Sequence, residues 1–316
     1  MNKLLLLLQV LLLSSVTLFV TSCGDDSTIE PPTPPPANNI TDIVTNTERF
    51  SSLLAALEIT ELTSTIASGE YTVFAPDNDA FDTYLNGTPL ADVDVAVLTQ
   101  LLLNHVVAGT VSSTDLANGY VSTLATESTT MNNISMLVNI DNGVTLNNTV
   151  SVVAADIAAD NGMIHEVGAV IAIPSVVDLA VQGDFSILVA ALTRADLTVD
   201  FVGTLSGTGP FTVFAPTDAA FVALLDSNPA WTTLDDIPVA TLEAVLKYHV
   251  VAGANVLSST LTDGQVVTTF EGSDFTINTT SGATITDANG NVVNIVATDV
   301  QGSNGVVHVI DGVILP

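Results

Sequence analysis

The chain has 316 residues, of which 34 are Asp or Glu and only four are Lys or Arg, so its formal net charge is −30. A field of this sign repels nucleic acids and anionic lipid headgroups, which excludes both as expected partners. Hydrophobic residues make up 47% of the chain and charged residues 12%, and this apolar content predicts a folded acidic protein rather than a disordered one.

The N-terminal segment, residues 1–22, has the pattern of a secretory signal peptide. It contains no acidic residue, one lysine, and a leucine-rich run from Leu4 to Val20 that is followed by small residues. A run of this length is too short to span a bilayer comfortably. We therefore expect residues 1–22 to direct export and to be absent from the mature protein.

The only cysteine, Cys23, lies just after this apolar run. Its surroundings, FVTSCG, resemble the lipobox of bacterial lipoproteins, and that resemblance implies that Cys23 is lipidated and becomes the first mature residue. The alternative is a stray cysteine inside a cleaved signal. The acidic segment Gly24–Asp26 resembles the tract that sends some lipoproteins to the outer face of the outer membrane, and a solvated linker is its alternative. These resemblances imply a bacterial cell-surface lipoprotein that meets the membrane through its lipid anchor only.

A proline-rich segment separates Cys23 from the rest of the chain. Five of the six residues from Pro31 to Pro36 are proline, which predicts a stiff, extended tether over residues 23–36. The remaining body, residues 37–316, is longer than one hydrophobic core usually serves, so two domains are expected.

The body contains a long internal repeat. The sequence YTVFAPDNDAFDTYL, residues 71–85, returns as FTVFAPTDAAFVALL at residues 211–225. Three further segments align in the same order: residues 42–57 with 178–192, residues 101–111 with 245–256, and residues 161–174 with 304–316. A repeat unit of about 140 residues has the size of a domain. The sequence therefore predicts one domain over residues 37–175 and a second over residues 176–316.

The repeated phrase has the features of a strand that leads into a helix. Thr, Val and Phe favour a strand, and the proline ends it. Asp77 and Thr217 follow at the position of a helix N-cap, and Phe81 and Phe221 come four residues later, where they can pack back on the proline. We expect these residues to serve folding rather than binding.

The later repeats predict the closing part of each domain. The segment LLLNHVVAG predicts a helix end that is followed by a strand, with Gly109 marking the end of the segment. The final segments alternate apolar residues around an Asn-Gly turn, which predicts a hairpin. Asp287–Asn291, with the sequence DANGN, predicts another hairpin. It could be misread as a calcium loop, but the later bidentate glutamate of such loops is missing.

Taken together, TVFAP, the paired Tyr-His or Asn-His before Val-Val, and the terminal NGVVHVIDGVILP resemble the fasciclin domain in both copies. The resemblance implies an α+β fold for each domain, a wedge of two β-sheets with packed helices, and a role in adhesion or matrix binding. It also suggests Tyr248 and His249, with their counterparts Asn104 and His105, as a candidate contact surface. Copy one departs from copy two near its end, because Glu166 stands where copy two has Val309, which argues against identical ligands.

All four histidines lie in the repeated motifs: His105, His165, His249 and His308. Two per domain could form half of a zinc site, but further ligands at suitable spacing are missing, so buried neutral histidines are the favoured interpretation. No nucleophile elbow or phosphate-binding loop is present, and we expect no enzyme activity, no metal and no cofactor. Two functions stay open: a surface protein that binds an extracellular protein or polysaccharide, and an accessory carbohydrate-binding or weakly hydrolytic surface protein.

Overall fold

The computed structural model describes residues 38–183 and 185–316. The predicted signal peptide, Cys23 and the proline-rich tether lie outside the described residues. We call residues 38–175 domain one and residues 176–316 domain two, which are the two halves of the sequence repeat.

Each domain combines helices that precede or interrupt the sheet with seven strands. The helices of domain one are α1 Ile40–Thr45, α2 Ser51–Ile59, α3 Thr63–Ser68, α4 Asn78–Leu85 and α5 Val95–Leu103. Its strands are β1 Tyr71–Pro76, β2 Val106–Ala108, β3 Gly119–Thr126, β4 Asn133–Asn139, β5 Thr145–Leu146, β6 Val150–Ala159 and β7 Gly162–Val167.

Domain two repeats this order. Its helices are α6 Val176–Gln182, α7 Ser186–Leu192, α8 Phe201–Leu205, α9 Asp218–Asp226 and α10 Val239–Tyr248. Its strands are β8 Phe211–Pro216, β9 Val250–Ala252, β10 Gln265–Thr268, β11 Asp274–Asn278, β12 Thr284–Thr286, β13 Val292–Gly302 and β14 Gly305–Ile310.

The strand of the repeated phrase lies inside each sheet. Strand β1 pairs antiparallel with β2 and parallel with β7, and β8 pairs in the same way with β9 and β14. In domain one the seven strands close into a barrel, because β2 also pairs with β3. In domain two β9 and β10 are the edges of a seven-stranded sheet, and the Phe270 backbone amide, in the turn after β10, donates a hydrogen bond to the Val250 carbonyl of β9. Bulges in the long strands β6 and β13 bend the sheet. The helices and sheets of both domains together confirm the predicted α+β fold.

The repeated phrase is a strand, a cap and a helix start, as the sequence predicts. The Asp77 carboxylate accepts a hydrogen bond from the Ala80 amide at 2.8 Å, and the Thr217 hydroxyl accepts one from the Ala220 amide at 3.3 Å. Phe81 and Phe221 are each 1% exposed and belong to the cores beneath the helices. The strand of the phrase and the phenylalanine that follows it therefore belong to the interior of both domains, whereas the outer face of the helix is exposed.

The predicted closing hairpins are confirmed, and the structure gives a physical reason for their glycines. A Cβ at Gly162 would lie 1.8 Å from the Tyr71 carbonyl oxygen, and a Cβ at Gly305 would lie 2.1 Å from the Phe211 carbonyl oxygen. The preceding Asn161 donates from its side chain to the carbonyls of Ile66 and Gly69, both at 2.7 Å. The Asn-Gly pair thus fixes the hairpin against the helices and the neighbouring strand.

Candidate functional site

The first predicted site residues, His105 and His249, lie where a helix ends and the next strand begins. The Nδ1–H of His105 donates to the Leu101 carbonyl at 2.8 Å, and its Nε2 accepts from the Ile171 amide at 2.8 Å. His249 repeats the arrangement, with its Nδ1 2.7 Å from the Val245 carbonyl and its Nε2 3.1 Å from the Ile314 amide. A neutral imidazole protonated on Nδ1 satisfies both hydrogen bonds. Each ring therefore connects a helix end to the closing segment of its domain, the residues that follow the last strand, β7 or β14.

This environment disfavours the charged form of both rings. Burial lowers the pKa of His105 to about 4 and that of His249 to about 4, against the smaller opposing effect of the helix carbonyl. The main cause is desolvation, because an imidazolium loses its hydration in the interior. Both histidines are therefore neutral structural groups at neutral pH, as the favoured interpretation of the sequence holds.

The second pair, His165 and His308, uses the opposite ring nitrogens. The Nε2 of His165 lies 2.9 Å from the Val111 carbonyl, and the Nε2 of His308 lies 2.7 Å from the Val256 carbonyl. The Nδ1 of His165 accepts a hydrogen bond from the backbone amide of Asp156, and the Nδ1 of His308 accepts one from that of Asp299. Both amides lie in the bulged parts of the long strands. Each ring also stacks on the phenylalanine of TVFAP at 5.4 Å between centroids. These rings brace the bulged strand against the centre of the sheet.

The candidate contact residues Tyr248, His249, Asn104 and His105 are all buried, between 0 and 3% exposed. The Tyr248 hydroxyl donates to the Asp274 carbonyl at 2.7 Å and accepts from the Ala288 amide at 3.1 Å. The Asn104 side chain donates to the Ile171 carbonyl at 3.1 Å. These four side chains cannot touch a partner while the domains are folded, because the surrounding parts of each domain bury them. A partner-binding surface beside them stays a prediction that concerns only their exposed neighbours.

Several carboxyl groups of the described residues have a pKa below the ordinary value. Hydrogen bonds from neighbouring serine and threonine residues lower the pKa of Asp156, Asp236, Glu243 and Asp263. A glycosidase general acid needs a carboxyl whose pKa is raised. Among residues 38–183 and 185–316, no group of three His, Cys, Asp or Glu is arranged to hold a metal ion. Within the same ranges, no helix is both long enough and apolar enough to cross a membrane.

The two domains meet along β4 of domain one and the end of β13 in domain two. The backbone amide of Gln301 donates a hydrogen bond to the Ser135 hydroxyl at 2.9 Å, and Ser135 is 5% exposed. The Asn255 side chain donates to the Thr130 hydroxyl at 2.8 Å. This polar interface fixes the walls of a cavity that lies between the domains.

The interdomain cavity has a volume of about 460 Å³, within the range of small-ligand sites. Its walls include both apolar and polar side chains from the two domains. Six of the lining residues are Leu137, Val138 and Asp141 of domain one and Gln182, Phe185 and Val309 of domain two. Sequence reasoning missed this feature, because the cavity exists only through the packing of one domain on the other.

A hydrogen bond crosses the rim of this cavity. The Asn148 side chain of domain one donates a hydrogen bond to the backbone carbonyl of Gln182 in domain two at 2.6 Å. On the wall of domain one, the Asn118 side chain donates to the Asp141 carboxylate at 2.8 Å and accepts from the Ile140 amide at 2.7 Å. These bonds hold Asp141 in place beside the opening.

Comparison with known proteins is consistent with this architecture. Both halves match the model of the fasciclin domain, over residues 48–174 and residues 183–316. The chain is 41% identical over 143 residues to the uncharacterized protein sll1735 of Synechocystis sp., which covers 45% of this chain and 98% of that protein. It is 30% identical over 281 residues to human periostin, which covers 86% of this chain but only 31% of periostin.

A solved structure shows the same domain pair. The FAS1 domain pair from the insect cell adhesion molecule Fasciclin I matches with a TM-score of 0.51 and 18% sequence identity, over 85% of this chain and 97% of that chain. At this identity the similarity concerns the fold. Because the family model matches both halves of the repeat, this chain belongs to the fasciclin-domain family.

Proposed function

We propose that this chain is a surface-anchored adhesion or binding lipoprotein that contacts an extracellular protein, a polysaccharide or neighbouring cells. The observation that carries the proposal is the tandem pair of fasciclin domains whose shared motifs are buried. The motif side chains serve the cores and the helix ends, so the outer surface is the part available to a partner. The insect protein with a similar fold is named a cell adhesion molecule, which supports the same class of role here.

The N-terminal sequence supports display outside the cell. Cys23 after an apolar run would carry the lipid, and the proline-rich segment would hold the domains away from the outer membrane. Without the signal segment the chain keeps three basic residues and 34 acidic ones, so its charge is 3 − 34 = −31. The acidic surface favours a partner that is neutral or basic over one that is anionic.

The test is a binding array of extracellular matrix proteins and glycans, probed with the soluble chain from residue 24 onward. We expect saturable binding to a small set of spots at about 0.15 M salt, where surface charges are screened beyond about 8 Å. An unrelated folded protein of similar negative charge is the control. Binding no stronger than that of the control on every spot would contradict the proposed function.

A further inference from the structure

We propose that the interdomain cavity is a binding site for a basic side chain, lysine or arginine, of a partner polypeptide. This inference rests on the proposed function, since it names the chemistry by which an extracellular protein would be recognised. It concerns a site to which both domains contribute and which neither could form alone.

The shape and the walls of the cavity fit a side chain with an aliphatic stem. Leu137 and Val138 line it from domain one, and Phe185 and Val309 line it from domain two. Phe185 is 5% exposed and Val138 is fully buried, so these walls are held in place by the cores beneath them. Lysine and arginine bury their methylene stems along apolar walls of this kind while keeping the charged group at a polar position.

Two of the polar groups that line the cavity, the Asp141 carboxylate and the Gln182 side-chain oxygen, are acceptors, and no basic side chain stands among the described lining residues. Asp141 is the only charged residue among the described residues that line it. The side-chain oxygen of Gln182 is buried and accepts no hydrogen bond within the part of the chain that the structure describes. A buried acceptor without a donor is unfavourable, and a donor that arrives with a positive charge makes the stronger hydrogen bond. A carboxylate and an unpaired amide oxygen beside apolar walls therefore favour an ammonium or guanidinium group.

The charges elsewhere on the chain agree with this choice. Arg49 is paired with Glu166 at 2.9 Å, and Arg194 is paired with Asp196 at 2.7 Å. Neither arginine lines the cavity, so no basic side chain among the lining residues neutralises Asp141. The net charge of the chain raises the local concentration of cations and speeds their approach. An anionic ligand, including an acidic polysaccharide, is opposed by the same field.

The probe is Nα-acetyl-lysine methylamide, and its neutral counterpart is Nα-acetyl-norleucine methylamide, which has a similar stem without the charge. Binding is followed by amide chemical shifts in NMR spectra of the chain from residue 24 onward. We expect the lysine probe to shift the amides around Leu137, Asp141 and Gly183 saturably. The norleucine probe should shift them at least about tenfold more weakly, because the charged hydrogen bond is missing.

Two substitutions test whether the charge of the cavity is responsible. Asp141→Asn should weaken the lysine probe about tenfold, whereas Gln182→Glu should strengthen it by adding a second acceptor charge. The matched control is Asp82→Asn, which removes the same charge from an exposed position on α4 and should change the affinity less than about twofold. Asp141 is exposed, and urea unfolding verifies that its variant stays folded.

Three results would overturn the inference. Equal weakening by Asp82→Asn and Asp141→Asn would mean diffuse attraction to the acidic surface, and a lysine probe that shifts no amide at the cavity would exclude the site. Saturable shifts by a methyl glycoside at the same amides, without a response to the lysine probe, would assign the cavity to a neutral sugar. If the array finds a protein partner that Asp141→Asn binds as well as the unchanged chain, this site fails while the proposed function stands.

Discussion

Acidification should destabilise this protein well above the pH at which its carboxyl groups titrate, because two histidines are buried in neutral form. His105 and His249 have a pKa lowered to about 4, compared with an ordinary value of 6.5. The unfolded chain takes up a proton near pH 6.5, whereas the folded chain does so only near pH 4. In this window the unfolded state binds more protons, so the free energy of unfolding falls as the pH falls.

The size of the effect follows from the two pKa values. A pKa lowered from 6.5 to about 4 changes the free energy of unfolding by about 3 kcal/mol for each histidine once the pH has fallen through both values. The conversion is about 1.4 kcal/mol per pKa unit. Between pH 7 and pH 5 the same two values give about 2 kcal/mol for each ring. This is a large fraction of the total stability of a domain, which is on the order of 5–15 kcal/mol. Burial also lowers the pKa of His308, so domain two should be at least as sensitive.

The assay is urea unfolding at a series of pH values from 7 to 5, followed by the fluorescence of Trp231. This is the only tryptophan of the chain, and it packs against the core of domain two, so it reports on that domain. His249→Gln should lower stability at pH 7 but reduce the loss between pH 7 and pH 5 by about 2 kcal/mol. The control Val222→Ala, at an exposed position, should keep the full pH dependence. A wild-type protein whose stability is flat over this range, or a His249→Gln variant with an unchanged slope, would show that the buried histidines do not govern the pH dependence.

Three further predictions follow from the buried motifs and the N-terminal sequence. Phe221→Ala should cost about 3–5 kcal/mol of unfolding free energy in urea, the range for a buried phenylalanine, whereas Val222→Ala at the exposed neighbouring position should cost less than about 1 kcal/mol; a small loss at Phe221 would show that the repeated phrase is not a core element. Cys23→Ala should leave a soluble or unprocessed form on cell fractionation, and a variant that matures and stays with the membranes would exclude the lipidated cysteine. The fragments 37–174 and 175–316 should each melt cooperatively in calorimetry, and a molten fragment would mean that the polar interface around Gln301 is essential for folding.

The parts of the fold that sequence reasoning predicted correctly depend on neighbours in the chain. The caps at Asp77 and Thr217 act on amides three residues away, and the closing hairpins pair adjacent strands. The sequence contains each such element twice, once in each copy of the repeat, so the pattern of one copy supports the prediction for the other. The α+β architecture followed from the family resemblance of these motifs.

The surroundings of the candidate site could not be predicted in the same way, because they depend on distant contacts. His249 accepts a hydrogen bond from Ile314, 65 residues later, and Tyr248 donates to Asp274 in another strand. Tyrosine and histidine have apolar rings with polar tips, so the residue type alone does not tell burial from exposure. The cavity around Asp141 and Gln182 requires the relative placement of two domains, which no local pattern encodes.

We propose that the folded domain pair mediates adhesion at the cell surface. The decisive measurement is the attachment of cells that carry the protein to a surface coated with the partner found on the array. Increasing amounts of the soluble chain from residue 24 onward are added as competitor. Attachment should fall progressively as the soluble chain occupies the partner, and the same soluble chain unfolded beforehand by heat should have no effect. Attachment that persists unchanged at saturating competitor would contradict the claim.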